Sequence, residues 1–171
     1  LGLTESPSGG GDNLPTQGAG PYGRLEPNFD TIADEPFVVS DRDVSFEGAA
    51  ALRRSDGGLR LWFGMREDGG AQVIGAAELA DLHQLPDVAP REVFAALEDW
   101  EWEDGRVTNP AVIEVNGNLE MFYEAGTDAP VIGRAVSLDG GVTWEREAEP
   151  VLAGAASPTV AYVDGGYVMF V

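Results

Sequence analysis

The sequence contains no cysteine and no lysine, a single histidine, and no apolar run long enough to form a membrane-crossing helix. Without cysteine there is no disulfide framework and no thiol chemistry, a composition that fits either an oxidising or a reducing compartment. His83 has no second histidine or cysteine with which to share a metal, so no metal site is expected. About 18 consecutive apolar residues are needed to span a bilayer as a helix, so membrane insertion is not expected either. Positive charge is scarce: 10 basic residues, all arginine, stand against 30 acidic ones, for a net charge of −20. A surface this negative repels nucleic-acid phosphates and anionic lipid, which excludes both as partners. It favours solubility, in a salty or extracellular setting.

No basic segment followed by an apolar run opens the sequence, so an export signal is expected to have been removed or left out. Residues 1–24, LGLTESPSGGGDNLPTQGAGPYGR, are instead rich in Gly, Pro, Ser and Thr and lack periodicity. This is the composition of a linker tethering an exported domain, or of a plain flexible tail.

Residues 25–171 consist of short apolar runs separated by Gly, Asp and Asn, the pattern of strands joined by tight turns. Within it one unit recurs. Leu59–Phe63, Leu119–Tyr123 and Tyr167–Val171 each follow a turn, and each turn follows an apolar strand. Val73–Ala77 aligns with Val131–Ala135, and Glu35–Val38 with Glu149–Leu152, with Glu92–Phe94 as a looser copy between them. Leu61 and Met121 lie 60 residues apart, and Met121 and Met169 lie 48 apart. A four-stranded repeat of about 50 residues predicts an all-β propeller of antiparallel blades. The expected parts are a strand at 36–39 that closes the last blade, blade one at 46–97, blade two at 106–152, and the start of blade three at 157–171. A short helix at about Glu78–Leu85 would account for the greater length of the first repeat. About two and a half blades cannot close a ring, so further blades are expected from the same precursor or from another chain.

Ser137, Asp139, Gly141, Thr143 and Trp144 spell S-x-D-x-G-x-T-W, which matches the Asp box, a propeller hairpin turn also found in sialidases. Its physics is local, because the Asp carboxylate accepts backbone N–H bonds across the turn. A structural role is expected for it.

The runs Asn109–Ile113, Met121–Gly126, Ile132–Gly140, Trp144 and Pro150–Leu152 resemble the blade pattern of the five-bladed β-propeller glycoside hydrolase superfamily. That group includes the arabinanase/β-xylosidase, invertase/levansucrase and mannosyl-phosphorylase types. The resemblance implies a funnel-shaped carbohydrate site at one end of a central channel, with three carboxylates supplied by successive innermost strands. The slot just before a Pro or Gly at the start of each such strand holds Glu47, Asn109 and Ser157 here. Glu47 is then the candidate catalytic carboxylate, or an ordinary rim residue. Asn109 is a candidate sugar ligand or a cap on the strand turn, and Ser157 is a candidate sugar ligand; neither exchanges a proton alone near neutral pH. Trp102 is a candidate stacking residue, alternating with Trp100, or else part of the packing between blades. Arg106 and Arg134 would grip an acidic sugar or pair with neighbouring carboxylates. No cofactor is expected; the resemblance leaves room for a channel calcium, though no D-x-D-x-D loop supports one. The reading that follows is an extracellular carbohydrate-binding or glycosidase-like propeller that lacks the full carboxylate set. An active hydrolase and a structural subunit of a larger assembly are the alternatives.

Overall fold

The computed structural model describes residues 44–80 and 90–171, and among these are eleven strands and no helix. The linker, the strand at 36–39 and His83 lie outside the described residues. β1 (Val44–Arg53), β2 (Leu59–Glu67), β3 (Val73–Leu79) and β4 (Arg91–Phe94) form an antiparallel sheet in that order. A second antiparallel sheet follows in β5 (Val107–Val115), β6 (Asn118–Ala125) and β7 (Val131–Ser137). Its outer position is divided between β8 (Glu145–Arg146), which pairs with Ala135 and Val136, and β9 (Leu152–Ala153), which pairs with Val131 and Ile132. β10 (Thr159–Val163) and β11 (Gly166–Phe170) form an antiparallel hairpin.

The repeat is visible in the pairing. Ala51 opposes Leu61, Val112 opposes Met121 and Val160 opposes Met169. One step along each ladder, Ala50 meets Trp62, Ala111 meets Phe122 and Thr159 meets Phe170. β2, β6 and β11 are therefore matching second strands. β1 lies against β5, and β5 against β10, as the innermost strands of consecutive propeller blades do. The hairpins after β5 and β10 close on Asn116-Gly117 and Asp164-Gly165, with both residues of each pair at positive φ, the two-residue turn that suits the strand twist.

Because blades stack face to face, a second strand is apolar on both sides. The seam between the first two sheets buries Trp62, Ile74 and Phe94 against Val107, Met121, Tyr123 and Ala135. Phe122 and Ile132 begin the next seam, with Val160 and Met169 packed on them.

The Ser137–Trp144 turn seals the first seam. The Asp139 carboxylate accepts the Thr143 hydroxyl and the Val142 and Thr143 backbone N–H groups, while the Ser137 hydroxyl donates to Asp139 and accepts from the Gly141 N–H. These bonds, those from Thr143 foremost, hold the Asp139 carboxyl well below the usual carboxylate range. Trp144 then meets Trp62 edge-on at 6.3 Å. Gly141 is required here: its φ is +88°, and a methyl group on it would stand 3.0 Å from the Trp62 ring.

The helix expected from Glu78 does not begin there. Glu78 and Leu79 end β3, where Leu79 is fully buried opposite Leu59 and Glu78 pairs with Arg54 and Arg60. A cross-strand partner and a buried apolar neighbour outweigh the local helical composition. Residues 81–89 lie outside the described residues.

Candidate functional site

Each of the three inner strands has a left-handed residue in or just before its first half: Gly48 (φ 48°) in β1, Asn109 (φ 45°) in β5 and Ser157 (φ 51°) two residues before β10. Two of these sit in β-bulges, where the ladder shifts between Glu47 and Ala49 and between Thr108 and Ala111. A bulge inserts one residue and re-aims the side chain there. Glu47 opposes Gly64 just as Thr108 opposes Glu124, so the counterpart of Asn109 in the first blade is Gly48. The first slot therefore carries no side chain, and Glu47 stands exposed one residue before it.

The three left-handed positions are in contact. A methyl group on Gly48 would lie 2.4 Å from Asn109 Oδ1, and Asn109 Nδ2 donates to Ser157 Oγ at 3.2 Å. Beneath them is a carboxylate that the sequence pattern did not single out. Glu124, on β6, is 5% exposed. Its Oε2 accepts from Asn109 Nδ2 at 2.8 Å and from the Ser157 backbone N–H at 2.9 Å. Its Oε1 accepts from Arg106 Nη1 at 2.7 Å. Burial pushes the Glu124 pKa up, but the bonds from Asn109, Arg106 and the Ser157 N–H outweigh it, so the net shift is downward. Both amide protons of Asn109 are thus engaged, which leaves its Oδ1 as the acceptor beside Gly48. The one clue in the sequence is an acidic residue inside the apolar run Met121–Ala125, since buried carboxylates are rare unless bonded.

Arg106 braces the mouth through its Nε and Nη1. Besides Glu124 it donates to Gln72 Oε1 at 2.8 Å and to the Gly126 carbonyl at 2.9 Å, which ties the first blade to the second. Arg134 lies on β7, on the side facing β11, bonded to Glu120, Glu147 and the Tyr167 hydroxyl. Burial alone would lower its pKa, but Glu120 and then Glu147 raise it, so the charge is secured as a seam ion pair. Trp102 is half-buried, stacked 6.2 Å from Tyr123, with its indole N–H donating to the Ala148 carbonyl. These three residues join strands and blades in the structure. Among the described residues no group of three or more His, Asp or Glu gathers as a metal site.

The geometry makes acid sensitivity local. Glu124 titrates below its ordinary 4.5 in the folded chain, so its bonds contribute stability that is complete above that pH and lost as pH falls through the folded value. On acidification, protection of the Ser157 amide relative to its intrinsic exchange rate should fall before global unfolding, and Glu124→Gln should abolish that early step. Ser157 exchange that follows only global unfolding would contradict this.

Consecutive antiparallel sheets whose inner strands meet at one shared mouth define part of a β-propeller. Solved structures share the arrangement. A thermostable family-43 glycoside hydrolase matches over 72% of this chain and 46% of its own, with a TM-score of 0.57 and 22% identity. A family-43 β-xylosidase/α-arabinofuranosidase from a compost microbial metagenome, solved with xylotriose in calcium-free form, matches over 79% and 44%, with a TM-score of 0.59 and 19% identity. An endo-1,4-β-xylanase from Bacteroides thetaiotaomicron matches over 80% and 50%, with a TM-score of 0.58 and 20% identity. The chain thus spans half the length of these structures or less, and the likeness is one of fold. No family model matches the sequence, and no curated protein does.

Proposed function

We propose that this chain is part of an extracellular five-bladed propeller that binds carbohydrate at the mouth formed by Gly48, Asn109 and Ser157. One observation carries the reading: three inner strands enter that mouth through left-handed residues at matching positions. Asn and especially Ser adopt such backbone at a cost, and strain of this kind collects at ligand-contacting sites. The groups presented are an amide oxygen and a hydroxyl, braced from below by Glu124. They suit the hydroxyls of a neutral sugar. Hydrolysis of a glycosidic bond needs two carboxyl groups about 5–9.5 Å apart, one of them protonated. The matched positions hold Gly, Asn and Ser, so binding is favoured over cleavage. The glycosidase fold of the neighbours supports a sugar as the ligand class. The Gly- and Pro-rich opening residues and the strong negative charge support an exported location.

Calorimetric titration with xylotriose and with arabinotriose tests this. Asn109→Ala should weaken binding about tenfold, the worth of one strong hydrogen bond, and should also lower the thermal midpoint, because buried Glu124 loses a donor and Ala takes a left-handed position. Neither sugar should be cleaved. Failure of both sugars to bind the unaltered chain would refute the reading. A hydrolase is the second reading, favoured by Glu124, a carboxylate in contact with both Asn109 and Ser157. Cleavage that Glu124→Gln abolishes would establish it instead.

A further inference from the structure

The repeat separates what joins two blades from what is added at the first seam. Between the first two blades, the Gln72 carbonyl accepts the Val107 N–H at 3.1 Å. At the matching place one blade on, the Pro130 carbonyl accepts the Ala155 N–H at 3.2 Å and that of Gly154 at 2.9 Å. This backbone bond is the common joint. The side chains around it differ. Gln72, Arg106 and Thr108 of the first seam correspond to Pro130, Gly154 and Ala156 of the second, which carry no side-chain donor or acceptor.

Gln72 is buried, and both ends of its amide are used. Its Oε1 accepts from Arg106 Nε at 2.8 Å, and its Nε2 donates to Thr108 Oγ1 at 3.2 Å. Arginine only donates, so the amide has a single orientation. With its carbonyl on Val107, this one residue of the first blade grips three successive residues, Arg106, Val107 and Thr108, that lead into Asn109. Gly64 makes room for the grip, since a methyl group there would stand 2.1 Å from Thr108 Oγ1. The position matching Gly64 in the second blade is Glu124, the carboxylate that holds Asn109 and Ser157.

We infer that Gln72 is a positioning residue for the mouth: by fixing Arg106 and Thr108 it holds Asn109 in its left-handed conformation and Arg106 against Glu124. The first blade, whose own slot is Gly48, thus serves ligand binding without presenting a side chain to the ligand. Blade joining does not require the amide, because the second seam keeps the backbone bond with Pro130 in its place. A left-handed residue other than glycine persists only where its surroundings over-determine it. Gln72 constrains the residues before Asn109, and Glu124 constrains its side chain. The role of Gln72 in affinity rests on the mouth being the sugar site; its role in geometry does not.

The test compares Gln72→Met, which keeps the backbone bond but strips both polar ends, with Ile74→Val, which loosens the same seam two residues further along. In the ligand-free, isotopically labelled chain, Gln72→Met should move the Asn109 side-chain amide signals. It should also reduce protection of the Ser157 amide about tenfold, the worth of one buried hydrogen bond. Thr108→Val, which keeps the shape and removes only the hydroxyl, should move the same signals. Ile74→Val should lower the thermal midpoint and leave them in place. Xylotriose affinity should fall about tenfold in Gln72→Met and hold in Ile74→Val. Signals at Asn109 and Ser157 that respond no more to Gln72→Met than to Ile74→Val would overturn the inference and leave Gln72 a blade joint. Because these signals are read without sugar, they decide the role of Gln72 even where neither sugar binds, a result that refutes the sugar reading alone.

Discussion

Glu103→Ala should lower unfolding stability by about 3–5 kcal/mol, the range seen when one partner is removed from a buried charge pair. Glu103 is fully buried in the connection between the first two blades. Its carboxyl accepts the Leu97 backbone N–H at 2.7 Å, the Tyr123 hydroxyl at 2.8 Å and Arg146 Nε at 3.2 Å. Truncation removes the shared acceptor of three donors at a fully buried position, and each donor left orphaned costs about 1–3 kcal/mol. Burial and then the neighbouring Glu103 charge raise the Tyr123 pKa, so that hydroxyl stays protonated as the donor. The site should suffer too if the loosened connection shifts, because its backbone at Glu103 accepts from the Arg106 N–H, and Arg106 in turn holds Glu124. Urea unfolding gives the stability change, and sugar titration of the surviving folded fraction gives the second effect. A loss below about 1 kcal/mol would mean that water reaches the connection.

Trp62→Ala should cost a comparable amount, about 3–5 kcal/mol, by a different route. The side chain is 1% exposed, meets Trp144 edge-on and shares one cluster with residues of both sheets. Its removal opens a cavity that the sheets cannot close without breaking their pairing. Phe63, next along β2 and only half-buried, should cost clearly less on the same substitution. Equal losses at the two positions would show that the seam is not where the stability lies. Since a domain of this size is stable by only about 5–15 kcal/mol, either the Glu103 or the Trp62 substitution consumes a large share.

Blade architecture was legible because its causes are local. Strand alternation and Asn-Gly or Asp-Gly turns act within a few residues, and a 48- to 60-residue spacing exposed their repetition at Leu61, Met121 and Met169. The Ser137–Trp144 turn was legible for the same reason, since its bonds span at most four residues. The site was harder to read. Glu47 looked equivalent to Asn109 because both precede a Gly or Pro, but the blade-one hairpin turn is longer and the bulge falls at Gly48. One residue of slip moves a side chain to the opposite face of a strand. Arg106 and Arg134 were expected to grip an acidic sugar or to pair with carboxylates, and the sequence left that choice open because their partners, Glu124, Gln72, Glu120 and Glu147, lie 13 to 34 residues away.

What the sequence determined by itself was the repeating hairpin, its turns and the apolar character of both faces of each second strand, all of which follow from short-range backbone preference and periodicity. Which polar groups meet at the mouth was decided only in three dimensions. There, strands far apart in the chain bring Gly48, Asn109 and Ser157 together over Glu124, and the bonds made at that meeting, rather than residue type, set the charge and orientation of each group.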